Sequence, residues 1–201
     1  MSVKWKTKVN KLPEIAKTLE TIGTKKVKVG AFNGDHAWLA GIHEYGADIV
    51  AKNAKYLTVP VHPKAKGKKA RDFGDLWTLR TDSGELFLCQ SKGKDSFEVL
   101  YWLTKSVKIP ERSFLRTGHD ENAERVFKQT ERAISQVLAG KMSVDDIYEA
   151  YGQQMATAIK TYMRNLSTPP NSWATKEAKG SSNPLKDTGG LIESIDWKVE
   201  G

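Results

Sequence analysis

The 201-residue chain has a single cysteine, Cys89, and no long apolar run. One cysteine excludes an intramolecular disulfide and a zinc site built on several cysteines, and we interpret Cys89 as a small buried strand residue. No apolar run approaches the ~20 residues that cross a bilayer, and the first ten residues lack the apolar core of a secretory signal. The sequence therefore predicts a protein made in the cytoplasm, with no membrane partner.

Catalytic and metal-binding motifs are also missing from the sequence. It has no glycine-rich phosphate loop and no Gly-x-Ser-x-Gly turn that would carry a serine nucleophile. His43-Glu44 lacks the second histidine four residues on that a zinc-peptidase helix requires. The acid pairs Asp120-Glu121 and Asp145-Asp146 fall in the first turns of predicted helices, where carboxylates interact favourably with the helix dipole. The sequence predicts neither an enzyme nor a bound cofactor or metal.

Positive charge is abundant and unevenly distributed. Residues 1–71 hold fifteen Lys and Arg against five Asp and Glu, whereas residues 72–201 hold seventeen against nineteen. Such asymmetry is typical of a chain that contacts an acidic protein surface or a phosphate backbone, although solvated surface lysines give the same count. The densest run of basic residues, Lys64–Arg71, has no aromatic residues between its lysines on which nucleic-acid bases could stack. Its candidate phosphate or partner contacts are Lys64, Lys66, Lys68, Lys69 and Arg71.

Hydrophobic periodicity predicts an α+β fold, with a small antiparallel or mixed sheet packed against two long helices and a β-rich insertion. Lys26–Phe32 alternates small apolar residues with lysines, as a half-buried strand does. Helices are predicted at 10–22, 35–45, 114–138 and 144–166, with Asn10, Asp35 and Ser143 as caps. Ser143 also has Asp146 at capping-box spacing.

The middle of the chain predicts a β-hairpin insertion subdomain over residues 55–104, set into a core domain of residues 1–54 and 105–201. Tyr56–Val61 is strand-like, but Pro60 cannot donate a ladder hydrogen bond and so predicts an edge strand. Gly and Asp turns then separate three more short apolar runs, which is typical of a meander of two hairpins. These runs are 76–80, 85–90 and 96–104.

The last thirty-five residues divide into a loop and a closing element. Residues 167–183 are rich in Pro, Ser and Gly and predict an extended loop, whose length indicates a function or a contact with another chain. Asp187 or Thr188 then predicts the cap of a short helix reaching Ile195. A strand over residues 196–200 follows, and we expect it to dock into a sheet.

Four segments taken in order resemble a known family. They are Lys26–Phe32, Ile42–Gly46, Ile109–Arg116, and Pro169–Asn171 running through Asn183–Ile195. Together they resemble the tail-completion or neck proteins of tailed bacteriophages, also described as virion morphogenesis proteins or tail components. About sixty residues separate Gly46 from Ile109, where compact family members have a short loop. Gly190 stands where members often carry a longer side chain.

The resemblance implies a non-enzymatic virion protein at the joint between the DNA-filled head and the tail. It implies a homo-oligomeric ring, hexameric by analogy, that surrounds the genomic DNA and binds head-completion or connector proteins and tail-terminator proteins. A closed ring needs two different patches that meet, and our candidate interface residues are Trp173, Arg112 and Arg116. The two arginines could equally cap their own loop. The alternative function is non-sequence-specific nucleic-acid binding through the basic N-terminal third.

Overall fold

Seven α-helices and eight strands make up residues 12–201, which this computed structural model describes, and the predicted α+β class is confirmed. The helices are α1 (Leu12–Thr21), α2 (Gly34–Tyr45), α3 (Phe114–Asp120), α4 (Ala123–Leu138), α5 (Val144–Asn165), α6 (Trp173–Lys179) and α7 (Gly190–Glu193). The strands are β1 (Lys26–Ala31), β2 (Ala47–Val50), β3 (Leu57–Pro60), β4 (Leu76–Arg80), β5 (Leu86–Ser91), β6 (Phe97–Thr104), β7 (Ser106–Ile109) and β8 (Ile195–Glu200). The predicted cap Asn10 lies outside the described residues. Within residues 12–201, no helix combines the length and the apolar character needed to cross a membrane.

The first sheet joins distant parts of the chain. Strand β8 pairs antiparallel with β1, so that Val29 lies opposite Trp197 and Ala31 opposite Ile195. The prediction that the last strand docks into a sheet is therefore confirmed. This sheet packs on α5, and α4 packs on α5 as well. The largest buried apolar cluster lies between these elements, and its fully buried side chains are Phe114, Val126, Met155, Ile159, Met163 and Ile195.

Trp197 lies across α5 at Gly152. A Cβ atom at position 152 would stand 2.3 Å from Trp197 Cδ1, which is closer than non-bonded atoms approach. The indole Nε1 donates a hydrogen bond of 2.7 Å to Glu149 Oε2. Glycine therefore costs α5 some helix propensity but lets β8 approach it closely.

The predicted helix starts had mixed outcomes. The capping box of α5 is confirmed, because Ser143 Oγ accepts the Asp146 N–H at 3.1 Å and Asp146 Oδ2 accepts the Ser143 N–H at 2.9 Å. Those bonds lower the pKa of Asp146. Asp35 is not the cap of α2, since Asn33 precedes the first helical residue, Gly34. The α5 cap could be predicted because its hydrogen bonds join residues that are close in sequence. Helix α2 has no side-chain cap bond.

The helix predicted over 114–138 is two helices. A turn at residues 121–122 interrupts the α-helix between Asp120 and Ala123, and Asn122 Nδ2 donates to the Gly118 carbonyl oxygen at 2.9 Å. This turn lets Phe114 on α3 and Val126 on α4 both reach the same core. The prediction of one continuous amphipathic helix was therefore wrong, because its apolar residues belong to two helices, α3 and α4.

Residues 57–104 form their own four-stranded antiparallel sheet, in the order β3, β6, β5, β4. Pro60 lies on the edge strand β3, as predicted. Cys89 is fully buried in β5, also as predicted, and burial raises the pKa of its thiol. A small apolar cluster centred on Leu100 and Tyr101 supports this sheet, and Tyr101 Oη donates to the Lys68 carbonyl oxygen at 3.0 Å.

Three features were not predicted. Strands β2 and β7 pair as a two-stranded ribbon where the 57–104 segment joins the rest of the chain. The predicted loop 167–183 contains the helix α6, whose N-cap Ser172 accepts the Thr175 N–H at 3.3 Å. The cap position of α7 is Gly189, not Asp187 or Thr188. The side chain of Asp187 does not cap α7 and pairs with Lys66 of the insertion instead.

Candidate functional site

Three of the four segments that carry the family resemblance contribute to one site, whereas Lys26–Phe32 contains β1, which pairs with β8. The end of α2, the start of α3, residues 169–171 and residues 183–191 surround one group of hydrogen-bonded polar side chains. We call this group the polar junction, and it consists of His43, Glu44, Arg112, Arg116, Asn171 and Asn183. Residues more than fifty positions apart in sequence therefore share one site.

Glu44 supplies the N-terminal cap of a different helix. Its side chain is 3% exposed, and it accepts the backbone N–H groups of Leu115 at 2.8 Å and Arg116 at 3.1 Å. These are first-turn N–H groups of α3, whose own N-cap residue, Ser113, makes no side-chain cap bond. A buried carboxylate at a helix N-terminus is stabilised by those donors and by the helix dipole. Glu44 thereby fixes α2 against α3.

Arg116 closes the exposed side of this carboxylate. Its Nε donates to Glu44 Oε1 at 2.9 Å, and its Nη2 donates to the Glu44 carbonyl oxygen at 3.0 Å and to Glu111 Oε1 at 2.7 Å. The guanidinium also lies 4.9 Å from the centre of the Tyr45 ring, a cation–π distance. The bonds to Glu44 and Glu111 raise the pKa of Arg116. Half of the side chain stays exposed.

Arg112 is buried within its own chain. It is 4% exposed, and its Nε and Nη2 donate to the carbonyl oxygens of Pro169 at 2.9 Å and Pro170 at 3.1 Å. Its Nη1 lies 3.3 Å from His43 Nδ1. These contacts fit the second alternative for Arg112, which is to hold its own loop, better than a contact with another subunit. Among residues 12–201 no carboxylate pairs with it, and burial lowers its pKa.

Two asparagines hold the polypeptide that follows α5. Asn171 Nδ2 donates to the Asn183 carbonyl oxygen at 3.1 Å, and Asn183 Nδ2 donates to the Arg164 carbonyl oxygen at 2.9 Å. Asn183 Oδ1 accepts the N–H groups of Leu185 at 3.1 Å and Lys186 at 2.9 Å. Such a side-chain turn replaces a backbone turn. Asn183 therefore links the end of α5 to the segment that leads into α7.

A cleft of about 340 Å³ opens beside the polar junction, between α2, β7, α6 and residues 184–191. Its charged and titratable lining residues are His36, His43, Lys108, Arg112, Lys179 and Asp187. Burial and then the charges of Arg112 and Lys179 together lower the pKa of His43 to about 4, so the imidazole is neutral near pH 7. A Cβ at Gly190 would come within 3.0 Å of His36 Nε2, so a larger residue at this position would require a small shift of the His36 ring.

The predicted cationic loop is ordered and partly paired. Lys64 Nζ lies 2.6 Å from Glu98, which also pairs with Lys92 at 3.0 Å, and these bonds lower the pKa of Glu98 to about 2. Lys66 pairs with Asp187. Lys68 Nζ lies 5.5 Å from the centre of the Phe73 ring. The two remaining candidates are exposed and make no ion pair with any described residue, and they are Lys69 and Arg71.

Trp173 is the first residue of α6 and joins that helix to the insertion. Its ring centre lies 5.6 Å from that of Trp102 and 6.2 Å from that of Phe87, a cross-strand pair on β6 and β5. The side chain remains 46% exposed. Its outer part is thus still available for the predicted contact with a neighbouring chain.

Sequence reasoning missed most of the polar junction. One signal was present, because Glu44 falls in the last turn of α2, where a carboxylate opposes the helix dipole. Such an unfavourable position indicates a partner elsewhere, but it does not identify α3. No comparable signal marks Asn171 or Asn183 as hydrogen-bonding residues, since both lie in sequence that is typical of loops.

Comparisons of the chain with protein families, with curated proteins and with solved structures found no match. In the described part of the chain, no group of three or more His, Cys, Asp or Glu side chains could hold a metal ion. The function is therefore inferred from the geometry of the polar junction, the cleft and the exposed apolar side chains.

Proposed function

We propose that this protein is a structural component of the head–tail joint of a tailed bacteriophage. It assembles as a ring, hexameric by analogy, that connects head and tail around the DNA channel. The observation that supports this proposal is that three of the four resembling segments converge on the polar junction. The fourth, Lys26–Phe32, lies beside the last of them, with Ala31 opposite Ile195.

The chemistry of the polar junction suits a structural part. The buried Glu44 carboxylate accepts backbone N–H groups of α3 and the Arg116 Nε–H, and the buried Arg112 guanidinium donates to the carbonyl oxygens of Pro169 and Pro170. Buried hydrogen-bonded charges hold elements in one relative position, and removing one partner is strongly destabilising. A subunit that must meet its neighbours at a fixed angle benefits from such rigid joints.

Exposed apolar side chains on three elements provide candidate ring contacts. Trp38 on α2 is 69% exposed, and the ribbon strand β2 next to it exposes Ile49 and Val50. Phe127 on α4 is 58% exposed. A heterologous interface joins one patch to a different patch of the next copy, and aromatic residues are enriched in such contacts. Trp173 remains a candidate in this proposal.

The remaining assignments follow from the same proposal. The subunit is made in the host cytoplasm and resides in the virion. One face of the ring binds the head-completion or connector protein, and the other binds the tail-terminator protein. Genomic DNA passes through the centre, where exposed lysines favour contact with phosphates without reading sequence.

The genetic test is deletion of the gene from the phage that carries it. We expect electron micrographs to show DNA-filled heads and complete tails that are not joined, with joining restored by the wild-type gene supplied in trans. A Glu44→Ala gene should fail to restore joining, whereas the surface change Glu131→Ala should restore it. Joined, infectious particles in the deletion strain would contradict the proposal.

Nucleic-acid binding by the basic N-terminal third is the second candidate, and the exposed Lys69 and Arg71 favour it. Other cations of that third are neutralised by ion pairs, among them Lys25–Asp145, Lys28–Glu200, Lys64–Glu98 and Lys66–Asp187. Duplex binding with a steep salt dependence would support this candidate. In that case, neutralising Lys69 and Arg71 together should reduce the slope of log K against log salt by about 2.

A further inference from the structure

The cleft beside the polar junction contains a buried cation without a counter-ion. Three Arg112 nitrogens each face an acceptor, and these acceptors are two carbonyl oxygens and the His43 ring, all of them neutral. A guanidinium carries five N–H donors, so two remain. A buried charge without an opposite charge is costly, and an anion that enters the cleft removes much of that cost.

A second cation reinforces this field. Lys179 on α6 is half-buried in the cleft wall, and its Nζ donates to the Asn183 carbonyl oxygen at 2.7 Å. Burial lowers its pKa first of all, Asp187 opposes that effect, and Lys66 and Arg112 add to it. Asp187 is the carboxylate of the lining, and it is already paired with Lys66. The cleft therefore has an excess of positive charge.

His43 adds a hydrogen-bond donor to the same cleft. Because an arginine can only donate, the contact with Arg112 Nη1 makes His43 Nδ1 the acceptor. The neutral imidazole then carries its proton on Nε2, which makes no hydrogen bond to another described residue. Arg112, with two N–H groups that no described residue accepts, thus lines one cleft together with Lys179 and His43.

We propose that this cleft binds the carboxylate of an acidic side chain presented by another protein chain. A planar guanidinium matches the two oxygens of a carboxylate. The depth of the cleft excludes the phosphates of a DNA duplex, because Arg112 is 4% exposed and a duplex presents its phosphates on a wide convex surface. A glutamate side chain on an extended segment is narrow enough to enter. The inference depends on the cleft alone and does not require the ring.

Nuclear magnetic resonance of the labelled full chain tests this inference through the His43 side chain. The probes are the blocked tripeptide Gly-Glu-Gly, its neutral match Gly-Gln-Gly, acetate and a short DNA duplex, all at constant ionic strength. We expect the acidic tripeptide to cause a saturable shift of the His43 ring signals and to raise the pKa of His43 from about 4 by about one unit. The neutral tripeptide should leave both unchanged.

Variants of one helix provide the matched control. Lys179→Gln should weaken binding of the acidic tripeptide about tenfold, since it removes one charge-assisted contact, and Lys179→Arg should retain binding. Lys176→Gln changes an exposed lysine one turn away on α6 and should have no effect. An unchanged backbone spectrum for each variant shows that the fold is intact.

Three results would overturn the inference. The first is the absence of a saturable His43 shift with the acidic tripeptide. The second is a DNA duplex that shifts His43 more strongly than the tripeptide, because a nucleic acid would then be the occupant. The third is acetate binding as tightly as the tripeptide, since the cleft would then recognise a free acid and not a side chain held by a chain.

Discussion

The core around α5 and the insertion at residues 57–104 are held together in different ways. In the insertion, β4, β5 and β6 follow one another in sequence and pair as two hairpins, and a small apolar cluster supports the sheet. Strand β3 pairs with β6, at the far end of the same segment. In the core, β1 pairs with β8 from the other end of the described chain. Glu44 there contacts α3 across 71 residues of sequence, and Arg112 contacts Pro169 across 57.

This difference predicts which substitutions destabilise the fold most. Changes in the insertion should act locally, because each hairpin depends on its neighbours in sequence. Changes in the polar junction should act on the whole core, because a few buried polar groups connect segments that no backbone ladder joins. The following predictions test that contrast.

The largest effect should come from Glu44. Glu44→Ala leaves two first-turn N–H groups of α3 and the Nε–H of Arg116 without their acceptor. We expect the free energy of unfolding to fall by about 3 to 5 kcal/mol. Urea denaturation of the purified chain measures this, with Glu131→Ala on the exposed face of α4 as the control. A loss no larger than that of the control would show that the junction does not hold the core.

Gly46 should come next, because two constraints act on it. Its φ is +73°, and a Cβ would stand 2.9 Å from both the Ile109 carbonyl oxygen and the Glu111 nitrogen. Gly84 in the insertion also has a positive φ, +86°, but open space around it. We expect Gly46→Ala to cost about 3 kcal/mol and Gly84→Ala about 1 kcal/mol in denaturation experiments. Equal costs would mean that the close approach at the ribbon is unimportant.

Two helical glycines should respond with opposite signs. Gly152→Ala displaces Trp197 from α5 and should lower the free energy of unfolding by about 1 to 2 kcal/mol after the gain in helix propensity. Gly41→Ala on α2 meets open space and should raise it by about 0.5 to 1 kcal/mol. Thermal unfolding followed by tryptophan fluorescence reports both. A stabilising Gly152→Ala would contradict the packing of β8 on α5.

The smallest and most local effect should be that of Glu98 on the insertion. Lys64 and Lys92 lower its pKa from 4.5 to about 2. A depressed pKa contributes stability that is fully present above 4.5 and is lost as the pH falls towards 2. Hydrogen exchange of β5 and β6 should therefore accelerate over that pH range, and Glu98→Gln should weaken the pH dependence. The same acceleration in α5 would mean that the insertion and the core unfold together.

The contrast also explains how much the sequence could predict. The hairpins β4–β5 and β5–β6 and the Ser143–Asp146 capping box join residues that are close in sequence, and their patterns are visible there. The edge position of Pro60 could be predicted because proline lacks the N–H that an inner strand needs. Two features depend on tertiary packing, the break between α3 and α4 and the helix α6. The apolar pattern therefore predicted one helix over 114–138, and the composition predicted a loop over 167–183. Glu44, Asn171 and Asn183 acquire their roles only through partners on other elements.

We propose that this chain forms the ring at the head–tail joint. Cryo-electron microscopy of virions from the phage that carries the gene tests it most directly. The proposal predicts a ring of copies of this 22.4-kDa chain between the head and the tail, with residues 12–201 fitting the density of each subunit and DNA in the central channel. Virions whose joint is fully accounted for by other proteins, with this chain absent from the particle, would contradict it.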